Sequence, residues 1–173
     1  LGAANAKSSD FIVGNVAETP LFCLPLFGGL FLNGQGIRFM DESKMAVSTM
    51  YCGEPLLRES TYYVILDQVL VDTYSTNEIT GFMSQSAIDN MAPVVQMSFA
   101  GVTLTSMPDK LAQGIEEGWV WKGETLEDLA EACGLTKLPD SVAAYNDGAG
   151  AGEDNDFFKP VEFLKPIEQG PFY

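Results

Sequence analysis

Gly28-Gly29-Leu30-Phe31-Leu32-Asn33-Gly34-Gln35-Gly36-Ile37-Arg38-Phe39-Met40-Asp41-Glu42 is the stretch on which the reading of the fold turns. Leu30-Phe31-Leu32 is a short apolar run, and Ile37-Arg38-Phe39-Met40 is a second one in which only Arg38 is polar. Asn33-Gly34 between them is a strong hairpin signal, because both residues tolerate positive φ and the resulting turn matches the twist of paired strands. The expectation is two antiparallel strands joined by a tight turn. Arg38 and Glu42 then share a face if the second strand continues.

The same residues carry a family resemblance. Gly-Leu-Phe-Leu-Asn-x-x-Gly-x-Arg-Phe-x-Asp-Glu is similar to a hairpin in the capping domain of flavoproteins such as fumarate reductase and the succinate dehydrogenase flavoprotein. Farther on, Thr125-Leu126-Glu127-Asp128-Leu129-Ala130, Leu138-Pro139-x-Ser141-Val142-x-x-Tyr145-Asn146 and Gly152-x-Asp154-x-Asp156-Phe157 resemble the end of such a lobe. Pro166-Ile167-x-x-Gly170-Pro171-Phe172-Tyr173 resembles the segment that re-enters the FAD-binding domain. The likeness covers Gly28 to Asp67 and Glu117 to Tyr173 and is weak elsewhere.

It implies an α+β fold with a small mixed or antiparallel sheet, a hairpin and packed helices. It also implies one capping domain over residues 1–173, cut from a larger FAD-binding protein. The edges agree with that expectation: the chain opens on Leu1 and closes on an apolar Pro171-Phe172-Tyr173. The implied partners are the FAD-binding domain of the same polypeptide and a small-molecule substrate. No Gly-x-Gly-x-x-Gly follows a strand, so nothing in the sequence cradles a dinucleotide pyrophosphate, and FAD would be held mainly by a domain outside these residues.

Elsewhere the pattern is plainer. Tyr62-Tyr63-Val64-Ile65-Leu66 reads as a strand ended by Asp67, and Phe11–Val13 and Phe99–Ser106 read as weaker ones. Met45, Val47 and Met50 suit one helical face. Pro108 opens a helix with Leu111 and Ile115 inward and Gly118 as its stop. Trp119-Val120-Trp121 runs extended. Thr125 caps a second helix, with Leu126, Leu129, Ala130 and Cys133 on one face and Gly134 closing it. Pro139 opens a third with Val142 and Tyr145 inward, stopped at Asn146-Asp147-Gly148. The acidic, glycine-rich run that follows lacks the spacing of a calcium loop.

Composition narrows the function classes. The 173 residues carry 24 acids against 9 bases, a net charge of −15, which disfavours nucleic acid and anionic membranes as partners. There is no histidine, so Ser-His-Asp and Cys-His catalysis cannot be built from this chain. Three cysteines without a Cys-x-x-Cys pattern suggest buried thiols. The longest apolar run, Leu21 to Leu32, is too short to span a bilayer as a helix and is broken by Pro25 and two glycines.

Three departures from the family pattern bear on chemistry. The resemblance implies a proton-donating Arg four residues after the hairpin Glu, and that position is Ala46. It implies a Thr-Glu-x-x-Arg set just before the hairpin, where Leu21-Phe22-Cys23-Leu24-Pro25 stands. A substrate-binding histidine has no counterpart. A lining of Phe22, Met45 and Ala46 cannot hold two carboxylates without paying for their desolvation. The expectation is therefore an FAD-dependent oxidoreductase acting on the carbon–carbon bond of an apolar or aromatic substrate, with Tyr51 and Lys44 as the nearest candidates for proton donor and cation. Arg38 is expected in a structural ion pair with Glu42 or Asp67. The competing expectation is a stand-alone ligand-binding module without redox chemistry.

Overall fold

The computed structural model describes residues 29–44, 55–82, 88–89 and 100–173. The expectations for Phe11–Val13, Phe22 and the Met45, Val47, Met50 face fall outside these residues, as do those for Ala46 and Tyr51. Among the described residues the chain is α+β. Strands β1 (Leu30–Asn33) and β2 (Tyr62–Ile65) form one antiparallel sheet. Around them pack α1 (Gln68–Thr76), α2 (Met107–Glu117), α3 (Leu126–Cys133) and α4 (Leu138–Ala151).

The sheet differs from the expected hairpin. β1 pairs with β2, Leu30 opposite Ile65 and Asn33 opposite Tyr62. The run after the turn contributes a single bridge, Arg38 to Leu32. The turn itself is present: the Asn33 N–H donates to Ile37 O at 2.9 Å, and the Asn33 side-chain oxygen accepts from the N–H groups of Gln35 and Ile37. Past Arg38 the chain bends away, because Met40 leaves the ladder to pack with Phe31. Both faces of β1 are buried. Leu30 and Leu32 enter the main core with Ile65 and Leu66, whereas Phe31 and Met40 form a small second cluster.

Three other expectations change. No strand forms over the described part of 99–106; Thr103 makes one bridge to Glu78. Trp119–Trp121 joins no strand either, and the pairing there is Gly123 with Phe172. The third helix does not stop at Gly148 but runs to Ala151 and is capped by Gly152 at φ 73°. Asn146 fails to end it because its amide is engaged elsewhere, donating to Ile167 O at 2.7 Å and accepting from Ile167 N–H at 2.9 Å. Ile115 of α2 is exposed at 40%, and the inward residues are Met107, Leu111 and Gly114.

The helix-end signals otherwise match the local chemistry. Thr125 and Asp128 form a reciprocal capping box at α3, and Gly118 and Gly134 close α2 and α3 in the left-handed region. The chain's last residues lie on the sheet side: Leu66 and Tyr173 exchange both backbone hydrogen bonds at 2.9 Å. Gly29, at the entry to β1, lies so close to Leu66 that an added Cβ would meet its side chain at 3.2 Å.

The turn after β1 is seated on the start of α4. Gly36 has φ 82°, and a Cβ there would lie 2.7 Å from the backbone nitrogen of Leu138. Its carbonyl accepts the Ser141 hydroxyl at 2.7 Å. Gly36→Ala meets both a left-handed backbone and a backbone clash, so we expect a loss of about 2 kcal/mol or more, read as a lower thermal midpoint. Gly34→Ala, with nothing within 4 Å, is expected to cost far less.

Candidate functional site

Four charged side chains close around one another where β1, the bend after it, α4 and the following loop meet. Arg38, Glu42, Asp154 and Lys159 are all buried, at 8%, 3%, 7% and 4% exposure. The Arg38 guanidinium is gripped twice. Its Nε donates to Glu42 Oε1 and its Nη2 to Glu42 Oε2, both at 2.9 Å. Its Nη1 and Nη2 donate to Asp154 Oδ1 and Oδ2 at 2.9 and 2.8 Å. A planar fork matched to two carboxylates is what guanidinium, rather than ammonium, supplies. The rings of Tyr145 and Phe157 lie 5.1 and 5.0 Å from its central carbon and cover it with π-faces.

One arginine neutralises one acid, and the second cation is Lys159. Its Nζ lies 3.2 Å from Glu42 Oε2 and donates to the Tyr145 hydroxyl at 3.3 Å. Its backbone N–H donates to Asp154 Oδ2 at 3.0 Å. Glu42 also accepts the Phe31 N–H at 3.2 Å, and Asp154 accepts those of Asp156 and Phe157. Burial works against the charged form of Asp154, but the bonds from Arg38 and the Lys159 amide outweigh it and hold the carboxyl at about 2. Burial likewise opposes the Arg38 charge, and its two carboxylate partners outweigh that and raise its proton affinity.

The loop that supplies Asp154 and Lys159 is bent by Phe158, which sits at φ 58° and is 80% exposed. That left-handed residue turns the chain so that the Lys159 amide returns to Asp154 while its side chain runs inward. An open groove of about 430 Å³ lies beside the cluster, lined by Arg38, Lys137, Ser141, Tyr145, Asp156 and Phe157 among others.

The structure brings Arg38 and Glu42 together but not Asp67. Asp67 caps α1, its Oδ1 accepting Leu70 N–H at 2.8 Å, while its Oδ2 accepts the N–H groups of Glu168 and Gln169. The carboxylate that joins Arg38 instead is Asp154, 116 residues away in sequence. No periodicity links such distant positions. The available signals were the presence of Asp154 in a motif shared with the family and the need of a buried Arg for acidic partners. Lys159 carried no signal of its own.

Lys44 lies at the end of the turn that contains Glu42. Its ammonium is half exposed and stands 3.4 Å from Asp41 Oδ2. The other Asp41 oxygen accepts the Ser43 N–H and hydroxyl at 2.9 and 2.6 Å. No hydrogen bond reaches Asp41 Oδ2 among the described residues, so the contact with Lys44 is an ion pair without hydrogen-bond geometry. No three His, Cys, Asp or Glu side chains converge as metal ligands among the described residues. No described helix is long and apolar enough to cross a membrane.

No family model matches the chain. Among characterised proteins it is 28% identical over 148 residues to a vinyl phenol reductase of Lactiplantibacillus plantarum, covering 83% of this chain and 28% of that protein. It is 30% identical over 96 residues to an NADH:acrylate oxidoreductase of Vibrio harveyi, covering 53% of this chain and 10% of that one. An open-conformation flavocytochrome c3 fumarate reductase superposes with a TM-score of 0.54 at 18% identity, over 94% of this chain and 22% of the other. The chain is similar in sequence to these two reductases and shares its fold with fumarate reductase flavoproteins. A fumarate reductase flavoprotein subunit of Lactobacillus plantarum, solved in solution by NMR, shares the fold with a TM-score of 0.52 at 21% identity. There the match covers 86% of this chain and 81% of the solved one, so a chain of similar extent holds this fold. The chain spans under a third of the length of the two reductases.

Asp154→Asn leaves Arg38 and Lys159 short of an acceptor in a buried site, and we expect a loss of about 3–5 kcal/mol at neutral pH in urea denaturation. Because Asp154 is held below its usual value of 3.8, its contribution is present above that pH and is lost as pH falls through about 2. The wild-type advantage over Asp154→Asn is therefore expected to shrink across that window. Phe158→Gly relieves the left-handed strain and is expected to keep or raise the melting midpoint by an amount worth about 1 kcal/mol.

Proposed function

We propose that this chain is the substrate-capping lobe of an FAD-dependent oxidoreductase that reduces, or in reverse desaturates, a carbon–carbon bond. The observation that carries the reading is the sequence likeness to two reductases across most of the chain, together with the fold shared with fumarate reductase flavoproteins. FAD, bound by the rest of the polypeptide, supplies the hydride chemistry. This chain contributes the cover over the substrate and a positioned polar group for the proton.

The substrate we propose is apolar or aromatic and carries at most one carboxylate. The sequence places Leu21-Phe22-Cys23-Leu24-Pro25 and Ala46 where the family carries its dicarboxylate-binding and proton-donating side chains. The names of the two reductases point the same way: acrylate has one carboxylate and vinyl phenol none. Lys44 is the cation we assign to that single carboxylate or to the proton path, because it is half exposed on the turn held by Glu42. Tyr51 is the candidate proton donor, and Phe22, Met45 and Ala46 are the candidate lining.

The test is to purify the protein that carries this chain, record its flavin absorbance, and follow reoxidation of the reduced flavin by acrylate, vinyl phenol and fumarate. We expect bound flavin and a preference for acrylate or vinyl phenol over fumarate of roughly tenfold or more, set by an unpaired second carboxylate. Lys44→Met is expected to raise KM for acrylate and leave that for vinyl phenol nearly unchanged. A protein without flavin, or one that prefers fumarate, would overturn the reading.

A further inference from the structure

The charge count of the buried cluster leads beyond its role as a staple. Glu42 and Asp154 share a single guanidinium, so Arg38 alone leaves one buried negative charge uncompensated. Lys159 removes that excess and touches both acids, Glu42 through its ammonium at 3.2 Å and Asp154 through its backbone N–H at 3.0 Å. Glu42 lies inside the Asp41–Lys44 turn, and its carboxylate ties that turn to the rest of the fold. It is held by Arg38, by the Phe31 N–H of β1 and by Lys159. Among the described residues the turn's own hydrogen bonds are local: Ser43 N–H and hydroxyl to Asp41 Oδ1 at 2.9 and 2.6 Å, and Lys44 N–H to Asp41 O at 3.3 Å.

We infer that Lys159 is a positioning residue: through Glu42 it sets the conformation of the Asp41–Lys44 turn, and with it the place of the Lys44 ammonium. In its claim on catalysis this rests on the capping-lobe reading; in its claim on the turn it does not. Lys159 touches neither substrate nor flavin in this scheme. Removing its charge leaves a surplus negative charge in a buried site, which the cluster relieves by letting the Glu42 turn move toward water. Lys159→Arg keeps the charge that Lys159→Met removes, so the two variants separate charge from packing. The charged groups facing this site are Arg38, Glu42 and Asp154 within it, Tyr145 from α4, Asp156 on the loop, and Lys137 and Asp140 across the groove.

The experiment is amide hydrogen exchange on the chain, with protection factors compared for wild type, Lys159→Met and Lys159→Arg. In Lys159→Met the Ser43 and Lys44 amides are expected to lose about tenfold in protection while α3 keeps its protection; Lys159→Arg restores the turn. In the flavin-bearing protein the same variant is expected to raise KM for acrylate and leave that for vinyl phenol nearly unchanged, as Lys44→Met does, and Lys159→Arg to recover most of it. Unchanged protection at the turn, a loss that Lys159→Arg does not restore, or a loss spread evenly over α3 would overturn the positioning role. So would a Lys159→Met flavoprotein whose KM for acrylate equals that of wild type. A wild-type protein lacking flavin or turnover would overturn the capping-lobe reading and the catalytic claim with it, while the exchange result would still decide the claim on the turn.

Discussion

Four charges that must sum to zero out of water constrain how this fold closes. Arg38 can be buried only because two carboxylates grip its fork, and two carboxylates can be buried only because Lys159 joins them. Each member comes from a different place in the chain: a bend after β1, the turn that follows, and the two ends of a loop beyond α4. Satisfying them together fixes how the N-terminal and C-terminal parts of the described chain meet. The Tyr145 and Phe157 rings complete the enclosure with faces that tolerate a cation.

A second polar knot lies at the end of β2. Asp67 accepts one N–H from α1 and two from Glu168 and Gln169, so it ties the end of β2 to the final segment. Next to it, Leu66 and Tyr173 pair as neighbouring strands would. The apolar core from Leu30 through Phe172 lies around these two knots and supplies the bulk of the burial. The knots decide its register.

What the sequence showed and what it hid follow from the range of each interaction. The caps of α2 and α3 were legible because Pro108, Gly118, Thr125 with Asp128, and Gly134 act within one helical turn of themselves. The turn at Asn33-Gly34 was legible for the same reason. The partner of β1 was not: a hairpin signal argues for the adjacent run, but Met40 buries against Phe31 and β2 takes the ladder. The end of α4 was misread because Asn146 and Gly148 look like a stop. Asn146 instead serves Ile167, 21 residues on.

The sequence by itself determined the α+β class, the ends of α2 and α3, the family resemblance, and the fact that Arg38 required acidic partners. It also excluded histidine-based catalysis from within this chain, since there is no histidine. Only the tertiary structure decided which acids those partners are. Asp67 was the nearer candidate in sequence, but its carboxylate is consumed by three backbone N–H groups, and Asp154 reaches Arg38 instead. Lys159 became visible only with it. A pattern of residues encodes contacts one turn or one strand away; a buried charge is balanced by whatever the folded chain brings beside it.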